Sequence, residues 1–407
     1  MARWAASRPR RPSPGPRLSA CCNALSLPRK LLACLSICIL GSIHWGVSSV
    51  TAEPYLAIQE GYKCSKCHVN MTGGGKRTDF ANIYAQTRLA NEFFDWRRFS
   101  KKPDEDADKD NPVKTDSQSS FFSGRLNEYI AIGGDFRMLL EETRPPGGPS
   151  KQEFNQSKQN IYLEVDLVPD HVIFYETLAG GGDAQEIFAL LKGEVKEVPY
   201  YFKVGQFFLP YGLRLQDDSA FTRATTGFTY GTSDVGVEFG LEPGSWTLQI
   251  AATNGTGSSL ETNRSKRLTS SLAYVRKLFR VGGSYSTNKD AQGVETVISG
   301  INGGVQLGRV GILAEGAVID DSKVEQRVSI LEFNFLLSRG NNLKFSYEYH
   351  DPDRKLFENA RERYSVVYEP FLNQFTQIRV GYRDNRGIPQ SPGFNTNLYF
   401  VELHLFF

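Results

Sequence analysis

Asn160-Ile161-Tyr162-Leu163-Glu164-Val165-Asp166-Leu167 alternates at every step, with apolar side chains at 161, 163, 165 and 167. A period of two puts successive side chains on opposite faces of an extended strand. The same beat returns in Leu343-Lys344-Phe345-Ser346-Tyr347-Glu348-Tyr349-His350. It returns again where Ile378, Val380 and Tyr382 alternate with Gln377, Arg379 and Arg383. Aromatics at 12% and 38 glycines, with little sustained helical period, point the same way. Each strand has one apolar face and one face bearing charge. A soluble sandwich turns the apolar face to a core, whereas a membrane barrel turns it to lipid and lines its lumen with the polar face.

Periodicity does not separate these two folds, but the connections do. About sixteen strands of roughly ten residues can be marked between 121 and 407. They lie near 130–143, 156–169, 171–181, 184–193, 200–211, 235–243, 246–255, 266–278, 279–289, 295–307, 309–321, 324–337, 341–353, 361–372, 375–386 and 395–407. Turns after even strands are short, as at Pro169-Asp170 and Leu307-Gly308-Arg309. Several after odd strands are long and polar, as at 144–155, 212–234 and 384–394. Short turns at one end and long loops at the other are the pattern of a bacterial outer-membrane barrel, and an even count leaves both termini in the periplasm.

The chain ends on Tyr399, Val401, Leu403, Leu405 and Phe407 along one strand face. An aromatic terminal strand resembles the terminal signal of outer-membrane porins. Gly205-Gln206-Phe207-Phe208-Leu209-Pro210-Tyr211-Gly212 resembles a segment of phosphate-selective-type porins. The long connection after it, 212–234, is the third outer loop. That resemblance implies a loop folded into the pore, with Arg214, Asp217, Asp218 and Arg223 as constriction candidates.

The other end of the chain is different. Arg29-Lys30, the apolar run Leu31 to Val50 and the small-residue site before Glu53 read as a signal peptide. It forms, with an Arg/Pro-rich extension, a leader over 1–52. Four of the six cysteines fall in it, so only Cys64 and Cys67 remain after cleavage. They stand in Cys64-Ser65-Lys66-Cys67-His68, the attachment pattern for a c-type haem. Two thiols three residues apart each add to one vinyl group, and the adjacent His68 is placed to bind the iron as proximal ligand. A thioredoxin-like pair would open a helix in a βαβ setting that this sequence lacks. A zinc site needs further ligands, and no cysteine is left to supply them.

A small α-helical haem domain is therefore expected over 53–100, with one covalent haem c. Gly73-Gly74-Gly75 leaves the backbone free for positive φ and close approach. Lys76 and Arg77 follow as candidate partners of the haem propionates. Thr78 caps a helix running to about Arg88, with Phe80, Ile83 and Tyr84 on its apolar side. A domain this short does not bury a haem alone, and it carries no obvious distal ligand. His404 points inward near the periplasmic end of the last strand and is the candidate distal ligand. His171 and His350 are weaker candidates, and Met138 falls on the lipid side. Residues 101–120 are charged and nearly free of apolar side chains, which reads as a flexible linker. The barrel occupies 121–407.

A secreted C-x-x-C-H segment, a tether and a sixteen-strand barrel together resemble the fused monohaem cytochrome–porins of the outer membrane, an iron(II)-oxidase-like family. In sequence the resemblance is carried by Pro54, Leu56, Ala57, Gln59, Gly61, Cys64, Cys67 and His68. Gly73-Gly74-Gly75 and the acidic tether are departures from that family. The resemblance implies an all-β transmembrane barrel with the haem domain plugging the lumen or lying at its periplasmic side. It implies electron transfer between an extracellular metal ion or other donor or acceptor and a periplasmic c-type cytochrome or other redox carrier. As an enzyme it would be an iron(II):cytochrome c oxidoreductase. The rival readings are an anion- or solute-conducting porin with the small domain as plug or regulator, and a haem peroxidase. A net charge of +2 offers no argument for nucleic acid, and no acid–base or nucleophile constellation stands out.

Overall fold

The computed structural model describes residues 54–90, 122–179, 186–257, 261, 263–388 and 392–407. The leader, the linker and the end of the small domain lie outside the described residues. The strands are β1 (Ile130–Arg144), β2 (Lys151–Val168), β3 (Val172–Ala179), β4 (Ile187–Val195), β5 (Val198–Phe207) and β6 (Asp234–Leu241). They continue as β7 (Trp246–Thr253), β8 (Arg267–Arg276), β9 (Phe279–Lys289), β10 (Glu295–Leu307) and β11 (Val310–Asp320). The series ends with β12 (Glu325–Ser338), β13 (Asn341–Asp351), β14 (Arg361–Asn373), β15 (Thr376–Arg386) and β16 (Thr396–Phe406).

Every strand pairs antiparallel with its sequence neighbours, and β1 closes on β16 to make a barrel. The closing register sets Asp135 opposite Phe406 and Arg137 opposite His404. Closure satisfies every edge, which a bilayer requires because lipid supplies no hydrogen-bond partners. The distribution of side chains decides between sandwich and membrane barrel. Leu167, Ile250, Leu272 and Ile301 are exposed on the outer surface, while Lys203, Glu238, Glu315 and Glu369 are buried inside. Apolar groups face out and charges face in, as an outer-membrane barrel requires.

The strand ends differ most from expectation in β2 and β5. β2 begins at Lys151, because its first turn is polar on both faces and shows no alternation. β5 ends at Phe207; Phe208, Leu209 and Tyr211 leave the wall and are buried. The connection that follows carries helix α4 (Phe221–Thr226), named after the three helices described next, and Leu213, Leu215, Ala220 and Phe221 are buried within the protein. This is the infolded loop that the sequence implied.

The segment 54–90 lies inside the barrel. It comprises α1 (Pro54–Glu60), α2 (Cys64–Cys67), α3 (Asp79–Tyr84) and a π-helical turn over Ala85–Leu89. Thr78 caps α3, its side-chain oxygen accepting from the Ala81 N–H at 3.3 Å. The expected helix thus starts where read and changes pitch after Tyr84.

Polar side chains of the wall hold this plug. Lys203 Nζ donates to Asn70 Oδ1 at 2.9 Å and pairs with Glu238 at 3.1 Å, all three fully buried. Asn70 Nδ2 donates to Glu186 at 2.5 Å, and Gln249 donates to the Met71 carbonyl at 3.3 Å. Elsewhere Asn342 Nδ2 donates to the Tyr55 hydroxyl at 3.0 Å, and the Leu278 N–H donates to the Ile58 carbonyl at 2.7 Å. Such a network is costly unless every member is satisfied, so it fixes one position of the plug.

Candidate cofactor chamber

The plug and the wall enclose a cavity between them. Cys64, Cys67, His68, Lys76, Arg77 and His404 all line it. These are the six residues nominated from sequence, and folding gathers them from two ends of the chain. α2 presents the thiols: Lys63 Nζ donates to the Glu242 carbonyl at 3.1 Å, and Ser65 donates to the Glu242 carboxylate at 2.9 Å. The β6–β7 turn therefore pins both flanks of the first cysteine.

Both cysteines are free thiols. Burial first, then the neighbouring Cys64, pushes the Cys67 thiol up to about 11. A disulfide oxidoreductase needs the opposite, a thiol shifted down towards neutrality. Burial thus moves Cys67 away from the thiolate that such exchange uses. Among the described residues no group of three or more His, Cys, Asp and Glu converges as a metal site.

His68 follows α2 in extended conformation and bridges to Arg77 across a short antiparallel contact. Burial, and then the Arg77 charge, lowers its imidazole to about 4. It is neutral at physiological pH, the state that binds a metal. Its Nδ1 is buried with no hydrogen-bond partner, and the ring faces the backbone of Gly74 and Gly75 without an aligned bond at that atom. The three glycines have φ of +91°, +85° and +66°. Two of them are also closely covered: a Cβ at Gly74 would meet the Tyr230 ring of the infolded loop, and one at Gly75 the Tyr175 hydroxyl of β3. Their freedom therefore serves the fit of plug to barrel.

The remaining nominees divide. Lys76 is committed to Glu164 at 2.7 Å and to the Arg77 carbonyl at 3.1 Å. Arg77 lies 4.0 Å over the Phe406 ring, and burial lowers its guanidinium to about 10. His404 has Nδ1 2.9 Å from Gln377 Oε1 and Nε2 3.1 Å from Asp135 Oδ1. His350 bonds Gln326 outside this cavity, and His171 lies exposed in the β2–β3 turn. On the plug side Tyr62 and Tyr84 line the cavity, with ring centroids 6.1 Å apart.

The infolded loop borders the cavity on its other side. Arg383 pairs with Asp217 and donates to Ser219 Oγ at 2.8 Å, and Arg363 donates to the Ser219 carbonyl at 2.8 Å. The loop is thus clamped to β14 and β15. A second cavity lies against it and shares Arg137, Lys158 and Gln216 with the first. The sequence reading did not nominate Arg137, Lys158, Gln216 or Arg280, because strand parity puts a side chain inside without saying what it meets there.

No family model matches the chain, and no curated protein matches it. Solved structures do. OmpF of Salmonella typhi is 12% identical, with a TM-score of 0.52, over 68% of this chain and 97% of that one. An anion-selective porin from Comamonas acidovorans is 10% identical, with a TM-score of 0.51, over 68% and 99%. The channel DcaP of Acinetobacter baumannii is 11% identical, with a TM-score of 0.50, over 68% and 97%. At these identities the likeness is one of fold: a porin-like sixteen-stranded barrel of the bacterial outer membrane.

Proposed function

We propose that the chain holds one covalent haem c inside its barrel and passes electrons between an extracellular donor or acceptor and a periplasmic redox carrier. The observation that carries this reading is that Cys64, Cys67 and His68 face one cavity within the lumen. The residues fit the group. The thiols are unpaired, the imidazole is neutral, and the cavity lining is rich in cations suited to propionates. Bound there, a c-type haem supplies a one-electron carrier. Cys64 and Cys67 would tether it, and His68 would donate a nitrogen lone pair to the iron.

The wall and loop contribute position. A hydrocarbon core of about 30 Å separates external from periplasmic partners. A carrier in the lumen stands between them. Arg137, Lys158 and Gln216 border both the chamber and the second cavity, so one layer of side chains separates the two. Tyr62 and Tyr84 flank it on the plug side. His404 is the wall residue proposed as distal ligand. Release from Asp135 would leave its Nε2 available, with Gln377 orienting Nδ1.

The porin neighbours support a second reading more directly than the first. A solute-conducting barrel, with the plug as regulator, agrees with their fold, and the Comamonas acidovorans protein is described as anion-selective. Proteoliposomes separate the two. With a c-type cytochrome trapped inside, electron transfer predicts its reduction by an external donor, dependent on Cys64 and Cys67, with little ionic current. A salt-proportional current independent of both cysteines, without reduction inside, would favour the channel.

A further inference from the structure

Among its lining side chains the chamber has more cations than carboxylates. Asp135 is its one side-chain carboxylate, and it is bound to Arg137 at 2.9 Å. Lys76 has Glu164, Lys63 has the Glu242 carbonyl, and Lys158 lies 3.8 Å over the Tyr230 ring. Arg77, Arg214 and Arg280 also line the chamber, and none of them has an ion-pair partner among the described residues.

Their surroundings sharpen the imbalance. Arg214 donates once, from Nη2 to the Leu209 carbonyl at 2.8 Å, and its Nε and Nη1 are buried without partners. Arg280 Nε is likewise buried without a partner. Glu315 faces Arg214, Arg223 and Arg280, and Asp218 faces Arg214 and Arg223, two carboxylates against three guanidiniums. Glu315 Oε2 already accepts from the Leu213 N–H at 2.6 Å. Enclosed cations that outnumber their counter-charges are costly. A bound dianion would remove that cost, and guanidinium is the side chain best shaped to grip carboxylates.

We propose that Arg214 and Arg280, with Arg77, hold the two carboxylates of the group bound in the chamber. This rests on the haem reading, in which those carboxylates are the propionates. It moves that role from Lys76, which Glu164 occupies, to an arginine of the infolded loop and an arginine of β9. The loop then helps to build the site that it covers.

The sign of the effect follows from charge. Reduction adds one electron to the site, so nearby cations favour the reduced form. Removing a cation lowers the midpoint potential. It also makes a released carboxylate easier to protonate, which moves the pH dependence of that potential upward.

The test is a spectroelectrochemical titration of the holoprotein across pH for wild type, Arg214→Gln and Arg280→Gln. Arg214→Lys and Arg280→Lys serve as charge-keeping controls. The expected result is an intact covalent haem band, a lower potential and a shifted pH profile in each Gln variant, with partial return in the Lys variants. If a Gln variant does not fold, the Lys variant alone decides, because loss of the guanidinium fork should still shift its pH profile. Wild-type potentials and pH profiles in the variants, with haem attached, would overturn the assignment. A wild-type protein without covalent haem would instead sink the haem reading and this inference with it, and the stain would show which had failed.

Discussion

The barrel wall and the plug inside it are held by different forces. The wall is a closed ladder of backbone hydrogen bonds, with apolar side chains such as Leu272 and Ile301 facing outward. Its order is local, since every strand but the closing pair joins its sequence neighbour. The plug has short helices and a glycine triplet, and its attachment depends on buried side chains reaching in from the wall. Lys203 meets Asn70 across 133 positions and Asn342 meets Tyr55 across 287. A structure of the first kind tolerates most single losses. One of the second kind depends on a few groups, and a site placed there is fixed by them.

Four substitutions put this contrast under strain. Lys203→Met should have the largest effect, because it strands Glu238 in the interior; breaking such a pair costs roughly 3–5 kcal/mol. The loss should appear as faster hydrogen exchange over 54–90 while β10 to β16 stay protected. Uniform loss of protection would mean that plug and wall unfold as one unit. Ile301→Arg attacks the other region. A cation on the lipid face at mid-strand costs roughly 2–4 kcal/mol, and urea unfolding of the barrel in vesicles should shift accordingly with plug exchange unchanged.

Gly74→Ala combines a φ of +85° with a Cβ driven into the Tyr230 ring. A cost of roughly 1–3 kcal/mol is expected, read as loosening of the plug against the infolded loop, and Tyr230→Ala should recover part of it. Asn342→Ala removes one hydrogen bond to Tyr55, worth roughly 0.5–1.5 kcal/mol. Limited proteolysis near 54–60 should rise slightly. A large rise would show that α1 is a main anchor.

The same contrast governs what could be read from the chain. Alternation marks β9, β10 and β13 to within a residue or two, because lipid on one side and polar lumen on the other impose a period of two. It fails at Lys151–Ser157, where both faces of β2 are polar, and at Phe208–Tyr211, where the chain turns inward. Cys64, Cys67 and His68 could be singled out because they stand within five residues of one another, and all three line one cavity. His404 was legible by parity alone. Arg214 and Arg280 as chamber residues were not, since nothing local in sequence says which side chains from β9 and a folded loop share one cavity. Lys76 shows the same limit: nothing local in sequence announces its ion pair with Glu164 on β2.

The most direct measurement of the central claim is a haem stain on a denaturing gel of outer-membrane fractions, from a strain competent for cytochrome maturation. Wild type would be compared with Cys64→Ala/Cys67→Ala. The account predicts a covalent haem band at the mature mass in wild type and none in the double variant, with equal barrel in both. An outer-membrane wild-type barrel without the band would contradict it and leave a porin-like channel whose C-x-x-C-H serves something else.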